Sequence, residues 1–121
     1  MTDFAQAHQA FLTSLQSGQH EFATTLTFIE HWFEFTPTAF TNGSVENNDH
    51  QNQGSCQVLA LAELLQFDDQ QTLLCFGEHY RDVLATPDVD NHHNLRRLIR
   101  DGRRDIQFER FPLTPKAGTQ L

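Results

Sequence analysis

A chain of 121 residues that is 38% apolar, with 11 Phe but one Met, one Trp and one Tyr, is long enough to bury a core of Phe rings without staples. Two cysteines, Cys56 and Cys75, are too few for a disulfide scaffold and read as free thiols, and no apolar run reaches the roughly 18 residues of a membrane span or has the look of a signal peptide. The net charge of −8 is uneven: the first 80 residues hold ten carboxylates and no Lys or Arg, a field that excludes nonspecific nucleic-acid binding and sets the later arginines against an acidic remainder.

Phe4, Ala7, Phe11 and Leu15 follow helical spacing, and Ser17-Gly18 supplies a stop, so a first helix is expected. A second helix is expected from about His20 to Phe35. Phe22, Leu26, Ile29 and Phe33 form one stripe and Thr25, Phe28, Trp32 and Phe35 another, which implies burial on two sides. From Thr36 to Gly54 the composition turns to Asn, Gln, Thr, Gly and Pro, with Asn42-Gly43 a turn dipeptide. That pattern predicts a long loop and the first place to look for a site.

Ser55 is expected to cap a third helix through Gln66, with Val58, Leu61, Ala62 and Leu65 inward. Asp68 and Gln71 stand at capping-box spacing and open a fourth, running to Thr86 and closed by Pro87. Asp90 or Asn91 caps a fifth, with Gly102 as its stop. Ile106 and Phe108 then alternate with polar residues. The predicted fold is mainly α: about five helices packed as one compact domain over 1–121, with a short two-stranded β element near 40–46 and 104–109. Residues 1–20 read as a helical extension and 112–121 as a flexible tail.

On the expected fourth helix, Gln71, Cys75, Glu78 and Asp82 lie opposite Phe76 and Tyr80, with His79 between. Either these are a solvated stripe or the helix is covered on both sides and its carboxylates need partners. His92, Arg96 and Arg100 recur at i, i+4 and i+8 beside His93 and Arg97. The sequence therefore predicts that Glu78 or Asp82 pairs with Arg96, Arg97 or Arg100.

Catalytic candidates are Cys56, which a helix N-terminus would hold as thiolate, together with Glu78, His79, Asp82 and His92. His79, Asp82, His92 and His93 also offer donors suited to a divalent metal, but they match no metal motif, so no metal and no cofactor is expected. The segment from Asn47 to Gly54 fails as a calcium loop. With Gly54 at the sixth position, Ala60 stands where a bidentate Glu is required. Asn42, Glu46 and Asn47 in the loop, with Tyr80, Arg81, His93, Asn94 and Arg96, complete a candidate binding surface.

FTPTAFTNG at 35–43, NQGSC at 52–56, QTLLCFGEHYRDVLATP at 71–87 and NHHNLR at 91–96, in that order, resemble the HopJ type III effector family over about residues 22 to 115. The resemblance implies a bacterial protein and supplies no catalytic residue. Gln57 stands where a Lys is expected and Arg103 where an aromatic is. An effector name implies secretion into a host, whereas this N-terminus lacks a Ser-rich secretion signal and points to the cytoplasm. Two functions are expected: a small module binding a protein or small-molecule ligand, without nucleic acid or membrane, or a small hydrolase or transferase built on the His/Asp/Glu/Arg cluster, with or without the assistance of a metal.

Overall fold

Asp3 opens the described part of the chain, residues 3–121 of a computed structural model, as the N-cap of α1 (Phe4–Gln16). Its carboxylate accepts from Gln6 N at 2.9 Å and the Gln6 side chain accepts from Asp3 N, a capping box that satisfies orphan amides of the first turn. The Phe4, Phe11 and Leu15 face is buried, as the spacing predicts. α2 (Phe22–Trp32) runs back along α1, which brings Phe11 to 4.5 Å from Phe28 and Phe4 to 5.3 Å from Trp32 between ring centroids.

The second helix stops three residues short of its expected end. Phe33–Phe35 is instead strand β1, paired antiparallel with a strand near the C-terminus, Leu113–Pro115, so that Phe33 faces Pro115 and Phe35 faces Leu113. Thr36 precedes Pro37 and is pushed away from helical angles, while the paired strand takes over the backbone hydrogen bonds. The flexible tail expected from Pro112 is thus a correction. Pro112 and Leu113 are buried, and Lys116 N and Thr119 Oγ1 both donate to Trp32 O, at 2.9 and 2.8 Å.

The expected long loop also contains structure. β2 (Phe40–Asn42) and β3 (Val45–Asn47) form a hairpin that turns at Gly43, φ +60°, and Ser44. β4 (Ile106–Phe108) pairs with the other edge of β2, giving the order β3-β2-β4, and Leu113–Pro115 becomes β5. The predicted pairing of 40–46 with 104–109 is present; the third strand is additional.

α3 (Gln53–Leu65) begins earlier than Ser55, with Asn52 as N-cap in the left-handed region at φ +52° and no side-chain cap. Its Cys56 and the run from Val58 to Ala62 are buried, so α3 is the central helix, contacted by α2, α4 and β5. The expected fourth helix is two: α4 (Asp69–Leu74), opened by the Asp68/Gln71 capping box, and α5 (Glu78–Ala85). Gly77 breaks them at φ +57°, where a Cβ would lie 2.4 Å from Phe22 N. α6 (His93–Asp101) is N-capped by His92, not by Asp90 or Asn91, and stops at Gly102 as expected. The described residues form six helices and five strands in two small sheets, so the mainly helical expectation roughly fits a fold with more strand than expected. No helix among the described residues is long and apolar enough to cross a membrane.

Candidate functional site

The ion pair expected between α5 and the arginines of α6 does not form. Among the described residues, Asp82 meets His92 at 3.8 Å, and neither Glu78 nor Asp82 pairs with Arg96, Arg97 or Arg100. The break at Gly77 contributes, because Glu78 becomes the first residue of α5 and is committed elsewhere. Glu78 Oε1 accepts from Phe22 N at 2.7 Å, which caps α2 from 56 residues away while Glu21, the formal N-cap, makes no side-chain cap bond. That hydrogen bond holds the Glu78 carboxyl below its usual range.

Arg96 instead organises the loop before α6. Its Nη2 donates to Thr86 O at 2.9 Å and Asn91 Oδ1 at 2.8 Å, and its Nε to Asn91 O at 2.6 Å. Arg97 is buried beneath the β2–β3 hairpin, donating to Asn42 Oδ1 at 3.0 Å and to the carbonyls of Gly102 and Arg104. Asp101 lies 3.4 Å from its Nε. Asn42, Asn47 and Asn94 complete the network: Asn42 Nδ2 donates to Asn94 O at 3.0 Å, and Asn94 Nδ2 to Asn47 Oδ1 at 2.9 Å. All three are buried, and they weld the hairpin to α6, with Asn94 also reaching the edge of a cleft.

That weld sets one wall of a cleft of about 230 Å³. Asn52, Gly54 and Ser55 come from the start of α3, His79 from α5, and His92, His93, Asn94 and Leu95 from the start of α6, over Phe22 and Phe76. The His79 and His92 rings stand 5.3 Å apart, and His79 meets the edge of Phe22 at 5.1 Å. His92 Nε2 is 3.8 Å from Asp82 Oδ2, and His93 Nε2 is 3.1 Å from Asp90 Oδ1. Asn52 and His92, both non-glycine residues at positive φ, begin α3 and α6 without side-chain caps. Gly54 and Ser55 of the first turn of α3, and His93, Asn94 and Leu95 of the first turn of α6, line the cleft, so the positive ends of two helix dipoles lie at its edge.

Other candidates fall outside it. Cys56 is fully buried, and burial pushes its thiol up to about 12, so the expected thiolate is replaced by a small core side chain. Burial raises Cys75 as well. Tyr80 is half-buried against the core, and Arg81 Nη1 donates to His20 O at 2.9 Å while its Nη2 lies 3.6 Å from Glu21. Glu46 lines a separate groove of about 600 Å³ on the face of the three-stranded sheet, with Phe40 and Phe108. Among the described residues no three His, Cys, Asp or Glu side chains converge as a metal site. Phe22, Gly54 and Ser55 line the cleft unforeseen. NQGSC pointed to the segment, but nothing local shows that α3 begins against α5 and α6.

Comparison with curated proteins finds no match. The chain is similar to a solved structure described as a crystal structure of unknown function protein VPA0580, at 44% identity and a TM-score of 0.83, covering 89% of this chain and 92% of that one. A family profile, HopJ type III effector protein, matches residues 8–113, so the likeness begins inside α1 and the helix is no extension outside it. The chain belongs to the HopJ type III effector protein family.

Proposed function

We propose that this HopJ-family chain is a small binding module whose ligand presents a compact, negatively charged group to the cleft between α3, α5 and α6. The observation that carries the reading is the convergence of His79, His92 and His93 on one concavity with the start of α3. Imidazole nitrogens and uncapped helix amides are complementary to carboxylate or phosphate oxygens, and the Phe22 and Phe76 rings give an apolar base. Arg96 and the buried asparagines act as positioning residues that hold the loop and hairpin around it.

The test is a thermal-shift screen with phosphate, pyrophosphate, acetate, citrate and adenosine monophosphate against the wild type, His79→Ala and His92→Ala. At least one anion raises the wild-type Tm saturably and leaves both variants unmoved. An anion series that moves none of the three proteins, or moves all alike, removes the cleft from consideration.

A second reading, a small hydrolase, is favoured by one feature. Asp82 stands 3.8 Å from His92 Nε2 with His79 adjacent, an arrangement in which one imidazole could be oriented as base and the other serve as acid. Hydrolysis of p-nitrophenyl phosphate or acetate that disappears in His92→Ala would support it. Wild-type rates equal to buffer would end it.

A further inference from the structure

On the side of the molecule built from α1 and α2, a second trough of about 570 Å³ runs between the outer faces of these helices. Ala10 of α1 and Ala23 and Thr27 of α2 flank it, Phe11 and Phe28 lie at its base, and Trp32 stands at the α2 C-terminal end. Small side chains along both walls let another backbone come close. At about 1.5 Å per residue, the 13 residues of α1 offer a seat of roughly 20 Å, enough for three to four turns of helix. All ten lining residues fall within the first 32 positions, in the part of the chain that has no Lys or Arg.

The charge around the trough selects the occupant. Asp3 precedes α1, Glu30 lies on α2 and Glu34 follows Trp32, and none of them joins an ion pair among the described residues. Glu21, at the far end of α2, is met by Arg81 at 3.6 Å, and Lys116 has its Nζ on the Glu30 carbonyl at 2.5 Å. We infer that the trough docks an amphipathic helix of a partner protein, with an apolar face and flanking Lys or Arg. A second copy is a poor occupant. Each chain carries −8, and Arg96 and Arg97 of its basic helix are engaged in its own fold. Nucleic acid and anionic bilayers are repelled by the same field.

Trp32, the single tryptophan, reports occupancy directly. The probe is a Trp-free synthetic helix with Leu at i, i+3, i+4 and i+7 and Lys elsewhere, compared with a counterpart bearing Glu for Lys. The Lys peptide shifts Trp32 emission saturably, more weakly as salt rises, and the Glu peptide does not. Ala10→Arg and Ala23→Arg, at exposed positions that keep the helical circular dichroism, weaken the Lys peptide by roughly tenfold or more, while Gln9→Arg, exposed but outside the trough, leaves it unchanged. Equal response to both peptides, response to neither, or self-association of the wild type that Ala10→Arg abolishes, overturns the inference.

Discussion

Thr25 fixes the tautomer of His20. Its hydroxyl donates to Cys75 O at 2.7 Å, so at the 2.7 Å contact with His20 Nε2 it accepts, and the ring proton sits on Nε2. Nδ1 is left to accept from Ser14 Oγ at 2.7 Å. Neutral His20 is therefore fully bonded and buried, and burial first, then the Arg81 charge, lowers its pKa from 6.5 against an opposing contribution from Glu78. The unfolded chain binds the proton more readily, so stability falls as pH drops below about 6.5, and His8, also lowered by burial, adds to the same trend. Urea unfolding at pH 7.5 and 5.5 shows a smaller free energy at 5.5, and His20→Gln reduces the difference. Arg97→Ala strands Asn42 Oδ1 and two carbonyls beneath the hairpin and costs on the order of 3 kcal/mol or more, whereas Arg100→Ala, at an exposed position, costs less than about 1 kcal/mol. The sequence assigned the α6 arginines to Glu78 or Asp82, and that assignment fails: Arg96 and Arg97 meet backbone carbonyls near α6 and the side-chain amides of Asn91 and Asn42, neutral acceptors that no charge pattern marks.

Local chemistry was legible wherever a local bond decides the element. The Asp68/Gln71 capping box and the Gly102 stop lie where side chain and backbone meet within a turn. The break inside 71–86 was not legible, since the helical stripe continues through Gly77 and only the approach of the α2 N-terminus forces the chain out of helix. Phe33 and Phe35 misled for a related reason: both sit on stripes of a helix, yet i and i+2 also share one face of a strand, and β5 supplies the partner. Gly77→Ala tests this. Holding Ala at φ +57° costs roughly 1–2 kcal/mol before the 2.4 Å approach to Phe22 N is relieved, so the total loss exceeds about 2 kcal/mol by chemical denaturation. Gly18→Ala, at φ +79° with nothing within 4 Å, loses only the backbone part.

At the scale of the molecule, the cleft is assembled from segments that are distant in sequence: α2 gives Phe22, α3 gives Gly54 and Ser55, α5 gives His79, and the α6 start gives His92 and His93. The sequence pointed to both halves, the loop from Thr36 to Gly54 and the polar residues between Glu78 and Arg96, through polar composition and recurring histidines. It could not show that Asn42 and Asn47 of the loop turn inward while the histidines remain on the cleft. Imidazole carbon–proton NMR resolves the seven histidines and tests the account most directly. Titrated with the same five anions, the protein is predicted to show saturable shifts at His79, His92 and His93 with a common midpoint for at least one anion, while His8, His20, His31 and His50 stay fixed. Shifts spread evenly over all seven, or none at the three cleft histidines with any anion, contradict it.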